Sequence, residues 1–470
     1  MSDETSEPAQ ADEAATEAAP AAEATPDAQP APATAAVSAE VPATVGERPD
    51  ESASSAADAQ EANAGASRAE ATVAPAAPEP PAAPVIRRQS LSLRGGSCDM
   101  RMGVGAPDGL GRDLRLQVGK PRRVLLVRGE DVTDELAELV RRSLVDAGFD
   151  VRAHSLPAGR ASRSVSVADG VLAELCRAGI TADDALVGIG DADVLSCLTY
   201  VSSVWCDGCA LAAVPTTLDG MVDLPVTPRA LDLGDAREMV RARGCVRLLV
   251  CDPSQPGLAS ATPGTLMGRA VMVAGAVAAG KQTFSDLALR AGAVAVGDVE
   301  AIEEEVLAIA KARARVASSS AIAIRQGMLY GLSLARALGR CLAEATGLDE
   351  DGARGKGEPD GGRLLAEGMR ISARLAAAHQ GPDKPELVDF VFAQDALLER
   401  LGLDEVPCDL DADRLLEALR AEELSRSNRF MLALPLDYGR VRLTSLDDEL
   451  LSAHLHAWCK TRRRLKRKLV

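Results

Sequence analysis

Apolar and polar residues follow two different patterns along the chain. In the first pattern, between about residues 89 and 258, apolar runs of strand length alternate with segments that have the three-to-four-residue apolar spacing of helices. The pattern predicts strands at 89–94, 99–103, 123–127, 151–156, 185–189, 211–214 and 246–251, and helices at 134–147, 166–178 and 194–204. Strands and helices that alternate at this spacing predict an α/β fold, with a parallel sheet flanked by helices.

The second pattern begins at about residue 259 and consists of long segments rich in Ala, Leu, Arg and Glu. Their periodicity predicts helices at 265–279, 284–291, 299–317, 321–346, 362–379, 385–401 and 412–424. A hairpin at 430–434 and 441–443 and a last helix at 446–458 are expected to follow. The chain therefore reads as an α/β domain at 89–258, a helical domain at 259–459 and a basic tail at 460–470. The tail is expected to be a solvated end, and contact with nucleic acid or another anionic partner is the alternative.

Residues 1–88 have a composition unlike the rest of the chain. They are rich in Ala, Glu, Pro, Thr and Ser and contain no aromatic residue. Residues 1–84 carry 16 acidic side chains and two arginines, so they supply −14 of the formal charge of −17. Such a segment cannot bury enough apolar surface to offset its ordering entropy, and we expect an acidic disordered tail. The rest of the chain is close to neutral, so the low isoelectric point says nothing about a substrate.

The cysteines and apolar runs limit the class of protein. Ten cysteines without regular spacing do not predict a disulfide framework, and the CxxC pair Cys206 and Cys209 lacks the second pair that a zinc site needs. No apolar run approaches the ~20 residues of a membrane span, and the start of the chain lacks the apolar core of a signal peptide. We therefore expect a cytoplasmic protein.

The stretch 214–229 carries the residue types of a ligand site. After the apolar run 211–214 come two hydroxyl side chains, the carboxylates of Asp219 and Asp223 and, six residues later, Arg229. In open α/β sheets, ligand crevices form where the carboxyl end of a strand opens into small and polar residues. A proline-rich surface loop is the alternative, and these residues alone do not decide between the two.

Taken in order, the segments resemble the dehydroquinate synthase family over about residues 90–458. The resemblance rests on the segments 157–164, 188–190, 214–223 and 327–347 and on Gly368-Met369. Members of that family are shikimate-pathway enzymes with an NAD-binding α/β domain and a helical, zinc-bearing C-terminal domain. The resemblance implies the family reaction, which is the NAD-assisted elimination of phosphate from 3-deoxy-arabino-heptulosonate 7-phosphate and its cyclisation to 3-dehydroquinate.

The resemblance also assigns a cofactor site. The residues that it assigns to NAD are Gly188, Gly190, Thr216, Thr217 and Asp131. Glycines serve there because backbone N–H groups must approach a phosphate without an intervening Cβ. In this chain Ile189 separates the two glycines, and the carboxylates of Asp191 and Asp193 oppose an anion. NAD binding is therefore left open.

Arginines occupy the positions at which the resemblance implies substrate-binding cations. The candidate catalytic residues are Asp223, Arg229 and Arg237, and the candidate anion-binding residues are Arg163, Arg336 and Arg340. A guanidinium is larger than an ammonium and prefers bidentate contacts, so it is not equivalent to the family's lysine. Arg336 and Arg340 lie four residues apart and share a helix face. They are either a clamp for an anion or solvated surface charges.

The family's zinc ligands are absent from their positions. The glutamate position falls near Val277, the histidine pattern falls on Arg336 to Arg340, and the second histidine falls on Gly361. Arginine has no lone pair to offer a metal, and a fixed cation opposes a dication. The histidines of the chain are His154, His379, His454 and His456, and none lies at a family ligand position. We expect that the chain does not bind zinc.

Three functions follow from these observations. The first is a working 3-dehydroquinate synthase, impaired by the loss of the metal site. The second is a non-catalytic binding or regulatory relative, a pseudoenzyme. The third is a metal-free enzyme that acts on another anionic substrate. The expected partners are a small phosphorylated or carboxylate ligand, a second copy of the chain, or a protein that contacts the tails.

Overall fold

A seven-stranded sheet, flanked by helices, forms the first half of the folded chain in a computed structural model. The structure describes residues 85–120, 122–346 and 360–469. The expected disordered tail lies, up to residue 84, outside the described residues. The described residues belong to one compact unit, and none of their helices is long and apolar enough to cross a membrane.

The sheet is parallel except at one edge. Its order is β1-β2-β9-β6-β5-β3-β4, and only β1 runs antiparallel to its neighbour. Its strands are β1 (Arg87–Leu93), β2 (Gly96–Met102), β3 (Arg123–Gly129), β4 (Asp150–Leu156), β5 (Ala185–Gly190), β6 (Ala210–Pro215) and β9 (Leu248–Cys251). Because the chain leaves β3 for β4 and then returns to place β5 on the other side of β3, the topology switches between β3 and β5. Open sheets bind ligands at the carboxyl ends of the strands beside such a switch.

The helices of this half cover both faces of the sheet. They are α1 (Leu110–Val118), α2 (Asp134–Asp146), α3 (Val165–Ala178), α4 (Ala192–Val204) and α5 (Leu218–Val222). Local signals explain their ends: the Thr133 hydroxyl accepts a hydrogen bond from Leu136 N at the start of α2, and Gly148 has a positive φ of 90° beyond its end. A small hairpin, β7 (Leu231–Leu233) and β8 (Ala236–Val240), was not predicted.

The second half is helical, as the resemblance implied. Its elements are α6 (Pro263–Ala279), α7 (Lys281–Val296), α8 (Val299–Ser318), α9 (Ile322–Arg325), α10 (Leu332–Thr346), α11 (Gly361–Gln380), α12 (Pro385–Arg400), α13 (Ala412–Leu424), the hairpin β10 (Leu432–Asp437) and β11 (Arg440–Thr444), and α14 (Asp448–Leu469). One continuous apolar cluster includes Leu218 of the first half and Leu266 of the second. The predicted fold class, a parallel-sheet half followed by a helical half, is confirmed.

Two helix predictions were wrong in their extent. The helix expected at 321–346 is interrupted before α10, where Gly331 adopts a φ of 76°. A Cβ at Gly331 would lie 2.9 Å from the backbone N of Met369, so this glycine allows α10 and α11 to approach closely. The last helix was expected to end at 458, but α14 continues to Leu469 because Arg462 is buried on it and pairs with Glu367.

Candidate functional site

The candidate site lies at the carboxyl ends of β5 and β6, next to the topological switch. The strand predicted at 211–214 is β6, and the short helix α5 follows it with every residue buried. Thr216 N donates to Gly190 O at 2.9 Å, which joins the two strand ends. The stretch 214–229 is therefore part of the crevice and is not a surface loop.

Arg229 is held between two carboxylates at this edge. Its Nη1 lies 2.8 Å from Asp193 Oδ1, and its Nη2 hydrogen-bonds Asp219, which is 3% exposed. Burial lowers the pKa of Arg229, but Asp193 and Asp219 outweigh it and raise the pKa well above its ordinary value. Burial raises the pKa of Asp219, and Arg229 opposes that effect. The cation that sequence analysis assigned to a substrate is already neutralised by the protein.

A second arginine reaches this edge from the helical half. Arg313 on α8 places Nη2 2.5 Å from Asp223 Oδ1 and 2.7 Å from Thr227 Oγ1. A Cβ at Gly275 of α6 would lie 2.8 Å from Arg313 Cγ, so a glycine leaves room for the stem of this side chain. Burial lowers the pKa of Arg313, and Asp223 opposes that effect. Asp223, a candidate catalytic residue, is therefore one half of a buried ion pair between the two halves of the chain.

The β7–β8 hairpin supplies a further carboxylate, Glu238. Its two oxygens lie 3.2 Å from Arg163 Nη2 and 2.8 Å from Arg336 Nε. Burial raises the pKa of Glu238, but Arg163 and Arg336 outweigh burial and lower the pKa to about 2. Glu238 also has a positive φ of 56°, a conformation that costs a non-glycine residue ~1–2 kcal/mol. The surrounding contacts hold this carboxylate between two guanidinium groups in spite of that cost.

A fifth carboxylate, Glu422 of α13, binds arginines of the helical half. Arg340 Nη2 lies 3.1 Å from Glu422 Oε2, and Arg426 Nε lies 2.8 Å from Glu422 Oε1. Arg426 also donates to the backbone oxygens of Arg237 and Glu238, each at 3.0 Å. The helical half is thereby tied to the β7–β8 hairpin. We call the set of ion pairs described so far the cleft network; its members are Arg163, Asp193, Asp219, Asp223, Arg229, Glu238, Arg313, Arg336, Arg340, Glu422 and Arg426.

Two arginines beside the cleft network lack an acidic partner among the described residues. Arg237 and Arg241 are both exposed, and neither guanidinium lies within 4.0 Å of a carboxylate there. Partial burial is the largest cause that lowers the pKa of both side chains. Arg160 adds to it for Arg237 and Asp232 opposes it, whereas for Arg241 Asp223 opposes it and Arg336 adds to it. Unpaired cations that repel other cations favour the binding of an anion.

In the glycine-rich turn between β5 and α4, a carboxylate of the turn itself accepts hydrogen bonds from the backbone N–H groups. Asp191 accepts hydrogen bonds from Asp193 N at 2.9 Å, Val194 N at 2.8 Å and Gly159 N at 2.7 Å. Burial, with Asp193 nearby, raises the pKa of Asp191 to about 6. A Cβ at Gly188 would lie 2.6 Å from Leu198 Cδ1, so the first glycine of the turn serves helix packing. The backbone donors that could meet a phosphate are already used.

The other candidate residues lie around this crevice. Thr216 and Thr217 are half-buried, and Asp131 is exposed beyond the end of β3. The exposed pair of His456 Nε2 and Asp413 Oδ1, 3.7 Å apart between α13 and α14, lies outside the cleft network. Burial raises the pKa of Cys209 to about 11, so its thiol is protonated at neutral pH.

Comparison with known proteins shows which family the chain resembles. The sequence model described as "3-dehydroquinate synthase N-terminal" matches residues 153–252. A 3-dehydroquinate synthase of Symbiobacterium thermophilum is 27% identical over 73% of this chain and 92% of its own length. The 3-dehydroquinate synthase of Pelobacter propionicus is 27% identical over 72% and 90% of the two chains.

The chain is similar to the dehydroquinate synthase family over most of its length. Solved structures agree on the fold. A 2-deoxy-scyllo-inosose synthase complexed with carbaglucose-6-phosphate, NAD+ and Co2+ aligns with a TM-score of 0.64 at 16% identity, covering 79% of this chain and 100% of that one. The 2-epi-5-epi-valiolone synthase ValA of Streptomyces hygroscopicus, with NAD+ and Zn2+ bound, aligns with a TM-score of 0.56 at 17% identity over 77% and 97% of the two chains.

The residues of this dehydroquinate synthase-like chain do not fit a zinc ion. Val277 is fully buried and offers only its backbone oxygen, which accepts from Gly439 N at 2.8 Å. Arg336 and Arg340 bind carboxylates, and Gly361 starts α11 without a side chain. Among the described residues, no group of three or more His, Cys, Asp and Glu side chains is arranged to hold a metal. Zinc requires neutral imidazole or anionic ligands, and the side chains at these three positions offer neither.

The turn between β5 and α4 does not fit a pyrophosphate either. The carboxylate of Asp191 takes the N-terminal donors of α4, and a second carboxylate, Asp193, lies two residues further on. A pyrophosphate at this helix end would face both carboxylates. The α/β half therefore keeps the NAD-binding type of fold without a turn suited to the cofactor.

Sequence analysis identified five members of the cleft network and missed several partners. The structure places five of the predicted site residues in one network of ion pairs, and the closest charged partners of all five are protein side chains. These residues are Arg163, Asp223, Arg229, Arg336 and Arg340. Glu238, Arg426 and Arg313 were missed. For Arg313 a signal existed, because it continues the buried stripe of Ile302, Val306 and Ile309 on α8, where a cation needs a buried partner. For the other two, no local pattern reveals the contact.

Proposed function

We propose that this chain is a dehydroquinate synthase-like protein of aromatic amino acid metabolism in which the family reaction is impaired. It acts as a binding or regulatory relative of the enzyme, in the cytoplasm. The observation that carries the proposal is the cleft network, in which the two arginines of the segment that matches the family's histidine pattern bind Glu238 and Glu422.

The chemistry of the family reaction supports this reading. Oxidation of the substrate hydroxyl needs a hydride acceptor and a Lewis acid, and the loss of metal polarisation typically costs several kcal/mol of transition-state stabilisation. The arginines of the cleft network cannot replace the Lewis acid, because their guanidinium groups are already bound by carboxylates. Guanidinium also stays protonated, so none of them can act as a base.

The cleft is nevertheless suited to a small anion. Arg237 and Arg241 project beside the network as exposed cations without an acidic partner among the described residues. A phosphate or carboxylate would supply the close anionic partner that both side chains lack among the described residues. The third hypothesis, a metal-free enzyme for another anionic substrate, would use the same two arginines. Only a measurement of turnover separates it from the binding or regulatory relative.

A phosphate-release assay tests impairment. The full-length protein, loaded with zinc and supplied with NAD, is incubated with 3-deoxy-arabino-heptulosonate 7-phosphate. We expect no phosphate release above the rate without protein. Steady release that depends on protein concentration would refute impairment.

Calorimetric titration with inorganic phosphate tests the anion site separately. Replacing Arg237 and Arg241 together by Gln removes both unpaired cations. Since a hydrogen bond to a charged group contributes ~1.5–3 kcal/mol, we expect at least a ~tenfold loss of affinity. The matched control is Arg141→Gln, which removes an exposed arginine that pairs only with Glu138 on α2. Equal phosphate affinity in both variants would count against this site.

A further inference from the structure

The CxxC pair, Cys206 and Cys209, lies in the turn that joins α4 to β6, and the cleft network does not include it. Trp205 O accepts a hydrogen bond from Gly208 N at 2.9 Å, which closes the turn around Cys206. The helix α4 has 13 residues and carries Asp193 of the cleft network in its first turn, so about 20 Å of helix separates this residue from the pair. The pair is therefore a separate feature of the molecule.

The two cysteines differ in exposure. Cys206 is exposed, whereas Cys209 is 7% exposed and belongs to the apolar cluster that includes Leu211. Burial is the largest cause that raises the pKa of Cys209, and Cys206 adds to it, so the two thiols are close enough to interact. In thiol–disulfide exchange at a dithiol, an accessible thiol attacks the external disulfide and a second thiol beside it then displaces the ligand. The pair has the accessibility that this reaction requires.

The backbone of the turn is strained at the exposed cysteine. Cys206 has a φ of 51° and a ψ of 39°, and Asp207 has a φ of 61°. This left-handed conformation is unfavourable for residues other than glycine, and aspartate tolerates it better than cysteine does. Trp205 Nε1 donates to Ile180 O at 3.1 Å and so fixes the turn against the segment that follows α3. Strain that surrounding contacts hold in place is typical of functional sites.

A concave site of about 410 Å³ lies beside the recessed cysteine, and its volume is within the roughly 300–1,000 Å³ of small-molecule sites. Ala210, which follows Cys209 in the chain, lines it together with Arg247 and Lys120. Burial raises the pKa of Cys209, and Arg247 opposes that effect. Neither Arg247 nor Lys120 forms a salt bridge with a carboxylate of the described residues. The two cations are available to the carboxylates of a ligand.

Two carboxylates line the same concave site. Asp184 is 6% exposed and accepts hydrogen bonds from Thr181 N at 2.9 Å and Arg123 N at 3.0 Å, so its oxygens are already bound. Asp183 is exposed and can meet an ammonium group. A ligand that carries both carboxylates and ammonium groups matches these charges, and a small peptide disulfide is such a molecule.

We propose that Cys206 and Cys209 form a thiol–disulfide exchange site for a small peptide disulfide that binds beside Arg247 and Lys120. The Cys206 thiol loses its proton and attacks one sulfur of the ligand, which forms a mixed disulfide and releases a first thiolate. The Cys209 thiol then loses its proton and attacks the Cys206 sulfur, which releases the second thiolate. The two thiolates take up the two protons, so the protein dithiol is oxidised to a disulfide and the ligand is reduced to two thiols. This site does not rest on the chemistry of the cleft network.

Oxidised glutathione, incubated with the full-length protein, tests the exchange. Free thiols are then alkylated and the peptides are mapped by mass spectrometry. We expect a Cys206–Cys209 disulfide in the wild type and, in Cys209→Ser, a lasting glutathione adduct at Cys206, because no second thiol displaces it. Cys176→Ser, which removes an exposed cysteine of α3, is the control and should form the same disulfide as the wild type. A wild type that ends with both cysteines alkylated, or with a lasting adduct at Cys206, would overturn the proposal.

A comparison of two disulfides tests the class of ligand. Arg247→Gln should slow the reaction with oxidised glutathione roughly threefold or more and leave the reaction with uncharged 2-hydroxyethyl disulfide unchanged. The control is Arg152→Gln, which removes an exposed arginine of β4 that does not line the concave site. Circular dichroism confirms that each variant is folded. If Arg247→Gln slows both disulfides equally, or neither, the ligand does not bind beside Arg247 and the proposal is overturned.

Discussion

Replacing Glu238 by Gln tests how strongly the cleft network depends on charge. The substitution keeps the shape of the side chain and the positive φ of the backbone, so it removes the charge without relieving the strain at this position. Arg163 and Arg336 would each lose the carboxylate that they contact. The variant therefore reports on the ion pairs and not on the conformation of the hairpin.

The size of the effect follows from the pKa of Glu238. Arg163 and Arg336 lower the pKa from its usual 4.5 to about 2. A shift of this size corresponds to about 3 kcal/mol, an upper bound because the side chain keeps 25% of its surface exposed. The folded pKa is below the unfolded one, so this stability is present above the unfolded pKa and is lost as the pH falls through the folded pKa.

Urea denaturation of wild type and variant, measured at two pH values, is the assay. The difference in unfolding free energy should be up to about 3 kcal/mol near pH 7 and about 2 kcal/mol near pH 3.5. It is smaller at pH 3.5 because this pH lies below the pKa of the unfolded carboxyl and the stabilisation by the ion pairs is already partly lost. The control is Glu138→Gln, which breaks an exposed pair with Arg141 on α2 and should leave the unfolding free energy nearly unchanged. The reasoning is refuted if Glu238→Gln costs no more than the control, or if its cost is independent of pH.

Two further predictions concern buried carboxylates elsewhere in the chain. Glu367 is fully buried and accepts hydrogen bonds from Trp458 Nε1 and Arg462. Glu367→Gln should therefore lower the unfolding free energy, measured by urea titration, by about 3–5 kcal/mol. The control, Glu417→Gln at an exposed position, should leave it almost unchanged. Asp191 has a raised pKa of about 6, so its ionisation costs stability as the pH rises from its usual 3.8 through 6. Asp191→Asn keeps a helix-capping acceptor, so its unfolding free energy should rise relative to that of the wild type between about pH 4 and pH 7. If the difference in unfolding free energy between variant and wild type is the same at about pH 4 and pH 7, the raised pKa of Asp191 is contradicted.

Local sequence patterns were sufficient for most of the fold. The strands β3, β5, β6 and β9 coincide with apolar runs, and most helices have the expected spacing, because burial determines both patterns. Gly331 shows the limit of such patterns. Its positive φ interrupts a helical periodicity because α11 packs against it, and that contact involves a segment far away in the sequence.

The candidate site was predictable in its residue types but not in its pairing. Asp223 and Arg229 could be found from a strand end that opens into polar residues. The partner of Asp223 could not be found in this way, because Arg313 approaches from a helix 90 positions later. Glu238 lies on a short, polar hairpin without a clear strand pattern, and its partners come from the 3-10 turn before α3 and from α10. Contacts of this kind depend on the tertiary fold, which a single sequence does not encode in any local period.

Guanidinium–carboxylate pairs lie in the segment that matches the family's histidine pattern, and Val277 and Gly361 lie at the other two zinc-ligand positions. The most direct test is the zinc content of the full-length protein after loading with zinc and exhaustive dialysis, measured by mass spectrometry and compared with that of an active 3-dehydroquinate synthase treated in parallel. The account predicts that the active enzyme retains zinc in stoichiometric amount and this protein retains none. Stoichiometric zinc that is lost on replacing a cleft carboxylate such as Glu238 or Glu422 would contradict it.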